Sequence, residues 1–159
     1  MTQSAGSYTA IIDSPCGRLG IIDDGNALTA IHFLEDAMPC QAPSSQLAKR
    51  TAQQLKAFFN DPEFQFDLPL VKSASAFQQR ARTSLRNIPV GETVSYGVLA
   101  KTMASSARAV AGACRRNPVP IIIPCHRVVA NTGLGGFSGA LDGKPLMIKR
   151  WLLEHEHAI

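Results

Sequence analysis

The apolar pattern changes from strand-like to helical spacing early in the chain, and that change points to a small sheet packed on a helix, followed by a second half of short helices. Before it, Ile, Thr and aromatic residues gather in three short segments, 8–12, 18–23 and 28–33. Ser14-Pro15-Cys16-Gly17 and Asp24-Gly25-Asn26 part them, and these residue types close tight turns, so the three read as antiparallel strands. After Ser44, read as a helix N-cap, Leu47, Ala48, Leu55, Phe58 and Phe59 recur at helical spacing until Asn60-Asp61-Pro62 ends the run. Pro69-Leu70-Val71-Lys72-Ser73 follows as a linker. The expected architecture is α+β, with a small N-terminal α/β domain over residues 1–72 and a mostly helical C-terminal domain over residues 73–159.

The second half is punctuated into helices. Residues 77–87 stop at Ile88-Pro89-Val90-Gly91, residues 96–103 start behind Ser95 as a cap, and the run from Ser105 to Arg116 ends at Asn117-Pro118. The last two, joined by a turn of small residues, form a helix-turn-helix candidate. Its second helix is almost wholly Ala, Ser, Gly and Val, with Arg108 as the one long central side chain. Such a helix suits either a shallow approach to a groove or close packing inside the protein. A final helix, 146–156, is expected to turn Ile148, Trp151 and Leu152 toward the core.

Composition narrows the class. With 45% hydrophobic and 18% charged residues, the chain can bury a core and is not a disordered polymer. No apolar run approaches the roughly 18 residues of a membrane span, and Met1-Thr2-Gln3-Ser4 lacks the basic start of a secretory leader, so a cytoplasmic protein without membrane partners is expected. Cys16, Cys40, Cys114 and Cys125 are too few and too irregular for a disulfide framework and read as reduced thiols. Cys16, His32 and Cys40 lack the spacing of a zinc site, so no metal is expected. Charge is divided unevenly: residues 1–79 hold five basic and eight acidic side chains, whereas residues 80–159 hold eleven and four. Between Glu92 and Asp142 there is no carboxylate at all, which leaves a basic face for a polyanion or simply for solvent.

Chemistry concentrates after Asn117-Pro118-Val119-Pro120. The apolar Ile121-Ile122-Ile123, read as a buried strand, delivers Pro124-Cys125-His126-Arg127-Val128-Val129. A thiol beside proline sits in a rigid place, His126 can hold or relay a proton, and Arg127 adds positive potential that favours the nucleophilic thiolate. The same three residues also fit a core cysteine beside a chance histidine.

From residue 77 to residue 156 the chain resembles the O6-alkylguanine-DNA alkyltransferases, also called methylated-DNA–protein-cysteine methyltransferases. The resemblance is carried in order by Ile88-Pro89-Val90-Gly91-Glu92-Thr93-Val94-Ser95-Tyr96, Ala107-Arg108-Ala109-Val110, Asn117-Pro118-Val119-Pro120-Ile121, Pro124-Cys125-His126-Arg127-Val128, Gly136-Phe137-Ser138-Gly139 and Trp151-Leu152-Leu153-Glu154-His155-Glu156. It implies a ribonuclease-H-like N-terminal domain and a winged-helix-like C-terminal one. The implied activity is DNA repair by a single-turnover methyltransferase. Cys125 takes the alkyl group from O6 of guanine, and also from O4 of alkylthymine, and keeps it.

The same resemblance assigns roles. His126 and Glu156 form a water-linked relay that makes Cys125 a thiolate, and Tyr96 donates to guanine N3. Ser105, Ala107, Ala109, Arg115 and Arg116 meet double-stranded DNA in its minor groove, while Arg108 fills the space left by a flipped nucleotide. Asn117 is the hinge between recognition helix and active-site segment. Phe137 and Ser138 line the pocket, together with Val128 and Arg127, and the carbonyls of Cys125 and Val128 read the guanine amino group. A monomer without cofactor is implied. Two other readings account for part of the pattern: a helix-turn-helix DNA-binding protein without chemistry, and a cysteine hydrolase using Cys125 and His126.

Overall fold

The computed structural model describes residues 7–140 and 142–159, so the start read above for the absence of a leader lies outside the described residues. The chain divides into two compact units, the first ending at Val71 and the second running from Lys72 to Ile159. No helix among the described residues is long and apolar enough to cross a membrane.

In the first unit β1 (Ala10–Ile12), β2 (Arg18–Asp23) and β3 (Leu28–Leu34) form an antiparallel sheet in that order, with Ala10 opposite Ile21 and Gly20 opposite His32. Leu19 and Ile21, two apart on β2, are wholly buried on one face, as the period-2 pattern requires. Gly20 lies under Tyr8, where an added Cβ would stand 2.5 Å from the ring, so only glycine lets the two approach. Helix α1 (Gln46–Asn60) packs across all three strands and buries Ala48, Thr51, Leu55 and Phe58, a stripe of helical period. Its cap is Ser45, whose hydroxyl accepts from Ala48 N at 2.9 Å. Ser44, expected to cap, instead donates its N–H to Thr9 O at 2.8 Å and anchors the entering chain to the sheet. The expected linker is likewise partly structured. Leu28 N–H donates to Pro69 O and Val71 N–H to Leu28 O, so residues 69–71 extend the sheet edge beside β3.

The second unit contains α2 (Ala76–Arg86), the two-residue β4 (Val94–Ser95), α3 (Tyr96–Thr102), α4 (Ala107–Arg115), a 3-10 turn at Cys125–Arg127, β5 (Val128–Val129) and α5 (Lys144–His155). Ser75, Ser95 and Ser106 cap α2, α3 and α4, each accepting a backbone N–H three residues on. Parallel pairing of Val94 with Val128 and Ser95 with Val129 fastens the start of α3 to the segment leaving Cys125. Two-residue strands carry no periodic signal.

Two expectations fail here. Ile121-Ile122-Ile123 is no strand: Pro118, Pro120 and Pro124 lack the N–H that a ladder needs, and the segment turns tightly, with Ile123 N–H donating to Val119 O at 3.0 Å. Ile121 is left at φ 75°, a strained position for a β-branched residue, and only 2% exposed. In α5 the inward side chains are Ile148, Lys149, Leu152 and Leu153, whereas Trp151 is half-buried and stacked on His155 at 4.8 Å.

Candidate active site

Cys125 opens the 3-10 turn, is 6% exposed, and donates its N–H to Ile123 O at 2.8 Å. Asn117 holds this turn from the end of α4. Its Nδ2 donates to Ile123 O at 2.9 Å and its Oδ1 accepts from Val119 N at 3.1 Å. Burial pushes the Cys125 thiol up, and the neighbouring Asn117 side chain and the Lys149 ammonium oppose that push.

His126 is fully buried, with Nε2 at 3.0 Å from Glu156 Oε2. Burial lowers its proton affinity below the ordinary histidine value, so the ring is neutral near pH 7. A carboxylate can only accept, so Nε2 carries the hydrogen and Nδ1 is the bare acceptor. Nδ1 is the one buried side-chain nitrogen or oxygen among the described residues that lacks a hydrogen-bond partner. Burial would raise the Glu156 carboxyl, but hydrogen bonds from His126 and Arg127 outweigh it and hold the group at about 2. Arg127 grips both oxygens, Nε to Oε1 at 3.0 Å and Nη2 to Oε2 at 2.8 Å, and its Nη1 donates to Ile88 O at 2.7 Å. Arg127, expected to line the pocket and to polarise the thiol, thus turns to Glu156, where its charge is already paired.

Beside this group lies a cleft of about 390 Å³ lined by Tyr96, Ala111, Arg115, residues 135–139 and Ala140. Phe137, 4% exposed, and Ser138 both line it. Phe137 and Ala140 exchange N–H···O bonds of 2.9 Å across Ser138, at φ 51°, and Gly139, at φ 81°. Two successive positive φ values make this a tight primed turn, which explains the glycine. Tyr96 donates its hydroxyl to Gly136 O at 3.4 Å, and burial pushes its phenol up to about 12, so it is a donor at all physiological pH. Cys125, Val128 and Asn117 do not line the cleft. The Cys125 carbonyl accepts Val128 N–H and the Val128 carbonyl accepts Lys149 Nζ. The larger cleft of the first unit, about 640 Å³, is mainly apolar and holds no buried titratable pair.

On α4, Ala107, Arg108 and Arg115 are exposed, as is Arg116 just beyond it; Ser105 and Ala109 are half-buried, and Val110 and Ala113 face inward. Arg108 makes no hydrogen bond or ion pair with the described residues. Among the described residues no group of three His, Cys, Asp or Glu is placed to hold a metal, so Cys16, His32 and Cys40 do not converge.

Lys149 escaped the sequence reading. Its side chain is fully buried, and Nζ donates to Val128 O at 2.6 Å and Gly136 O at 2.9 Å while standing 5.7 Å from the Tyr96 ring centre. Lysine in an amphipathic helix is normally solvated. The available signal was its place between Leu146 and Leu152-Leu153, inside the apolar stripe.

Comparison with known proteins bears on both units. Residues 7–71 match the family described as 6-O-methylguanine DNA methyltransferase, ribonuclease-like domain, and residues 76–158 match its DNA binding domain. A methylated-DNA–protein-cysteine methyltransferase of Methanosarcina acetivorans is 35% identical over 150 residues, spanning 89% of this chain and 96% of its own. The human protein of that name is 36% identical, over 91% of this chain and 78% of its own. Among solved structures, Mycobacterium tuberculosis OGT in complex with DNA superposes with a TM-score of 0.77 at 37% identity, covering 93% of this chain and 91% of the other. Both halves therefore match one family in order and over nearly the whole length, and the chain belongs to the 6-O-methylguanine DNA methyltransferase family.

Proposed function

We propose that the protein repairs double-stranded DNA by moving an alkyl group from guanine O6, and from O4 of alkylthymine, to Cys125 in one irreversible displacement. The observation that carries this reading is a buried thiol followed by a neutral histidine whose Nε2 is fixed on Glu156 and whose Nδ1 is free to accept. The thiol proton passes to Nδ1 through a bridging water, and Arg127 and Glu156 keep the ring in the accepting tautomer. The Cys125 sulfur then attacks the alkyl carbon; the S–C bond forms as the C–O6 bond breaks, and the electron pair stays with guanine. Tyr96, protonated throughout, donates to guanine N3 and eases departure of the anion. Phe137 and the Ser138 N–H bound the alkyl pocket.

The second unit supplies both binding and chemistry, with the first supporting it as a ribonuclease-like N-terminal domain, and the protein acts as a cytoplasmic monomer. The bare surface of α4 enters the minor groove, Arg115 and Arg116 meet phosphates, and the unpaired Arg108 occupies the stack vacated by the flipped nucleotide. Incubation with duplex carrying O6-methylguanine, read by intact mass, tests the reading. The expected result is one methyl group gained per chain. No gain would fit a DNA-binding protein without chemistry, and product beyond one equivalent would fit a hydrolase.

A further inference from the structure

We propose that Lys149 is the positioning cation of the acceptor site, tying the Cys125 segment to the pocket loop and supplying the positive charge against which the Cys125 thiolate forms. This rests on the reading of Cys125 as alkyl acceptor. Three other cations or potential cations adjoin the site, and none fills the role. Arg127 is paired with Glu156 through both carboxylate oxygens. His126 is neutral at rest because it is buried, and the charge it gains on taking the thiol proton lies against Glu156, 3.0 Å from its Nε2. Arg115 is exposed, so water screens it.

Lys149 is the reverse case. It is 0% exposed, makes no ion pair with a carboxylate among the described residues, and is held by two backbone carbonyls. An ammonium without an anion is a costly thing to bury, and its helix neighbours Ile148, Leu152 and Leu153 mark the position as one where an apolar residue would fit. The titratable groups that face it are Tyr96 from α3, Cys114 from α4, and Cys125 and His126 from the 3-10 turn. No carboxylate is among them. Thiolate at Cys125 is the anion that matches this cation. Burial brings the Lys149 ammonium down to about 8, and the two thiols work against that fall.

The same ammonium sets geometry. Val128 leaves the Cys125 turn and Gly136 begins the pocket hairpin, and Nζ bridges their carbonyls. Gly136 O also accepts from Tyr96, and a Cβ on Gly135 would stand 3.0 Å from the Tyr96 ring. One buried charge therefore fixes the acceptor segment, the pocket loop and the tyrosine together.

Two measurements test the role. In the first, single-turnover transfer from O6-methylguanine duplex is followed against pH for the wild type, Lys149→Met and Lys149→Arg. Loss of the charge should move the acid limb of the rate profile up by about one unit or more, with the rate recovering at alkaline pH and DNA affinity unchanged. Lys149→Arg should keep the limb near the wild-type position. A Lys149→Met protein slowed equally at every pH would mean that Lys149 only packs, and would overturn the proposal. The second needs no variant at Lys149: the ε-carbon of Lys149 is titrated by NMR in the wild type and in Cys125→Ser. Without an ionisable sulfur the lysine midpoint should fall, and an unchanged midpoint would overturn the proposal even if Lys149→Met does not fold. A coupled midpoint in a wild type that takes no alkyl group from DNA would instead remove the acceptor reading and leave the pairing standing.

Discussion

At the scale of residues, the roles divide by what each side chain can give up. Cys125→Ala should abolish alkyl transfer with DNA binding retained, since the exposed face of α4 proposed to meet DNA is left unchanged, while single replacements at Cys16, Cys40 or Cys114 should leave transfer intact. Gel-shift and transfer assays on the four variants check this. Glu156 carries a structural load as well: its removal strands a buried histidine and a half-buried arginine, and breaking such a pair costs about 3–5 kcal/mol. Its folded carboxyl sits at about 2, below its unfolded value, so the carboxylate contributes stability above the unfolded value and loses it as pH falls toward 2. The contribution is roughly 3 kcal/mol. His126, held neutral, adds to the acid loss because unfolding lets it protonate. Wild type should therefore unfold in urea at lower concentration near pH 3 than at pH 7, and Glu156→Gln should flatten that dependence. Equal slopes for the two proteins would remove the carboxylate from the account.

At the scale of elements, one capping serine and the prolines made the helices legible: Ser95 starts α3, Ile88-Pro89 follows the end of α2 and Asn117-Pro118 closes α4, while the caps at Ser75 and Ser106 emerge only from the structure. Less legible were features set by distant partners. Ser44 yields the cap to Ser45 because its N–H is taken by Thr9 across the sheet, and Ile121-Ile122-Ile123 turns because prolines deny it a ladder. At the site, His126 and Glu156 stand together as the motifs imply, but Arg127 turns to the carboxylate and Lys149, to which the motifs give no role, bridges the acceptor segment and the pocket loop, since which cation a carboxylate captures depends on contacts some 29 residues apart in sequence. Helix α4 carries its own prediction. Binding should weaken with salt, log affinity falling by about 0.9 per phosphate contacted for each decade of salt. Arg108→Ala should slow repair of a base in duplex far more than transfer from free O6-methylguanine, whereas Arg116→Ala should weaken binding without that split. Equal losses on both substrates would show that Arg108 does not enter the stack.

At the scale of the whole molecule, the chemistry feeds back on stability. A transferred alkyl group enters a site shaped around a bare thiol, and overpacking of that kind costs ~1–3 kcal/mol out of a total of ~5–15. On the proposed pairing it also leaves the buried Lys149 without its anion. The alkylated protein should melt lower than the free one, by roughly 2–4 °C per kcal/mol for a chain of this size, and bind DNA less well, because Asn117 links the Cys125 turn to the end of α4. An unchanged midpoint would mean that the pocket accommodates the product. The central claim, a single stoichiometric acceptor, is tested most directly by saturating the protein with excess O6-methylguanine duplex and mapping all four cysteines by peptide mass. The account predicts one methyl group per chain, all of it on Cys125, with repaired DNA stopping at one equivalent. Methyl on Cys16, Cys40 or Cys114, or repaired DNA accumulating beyond one equivalent, would contradict it.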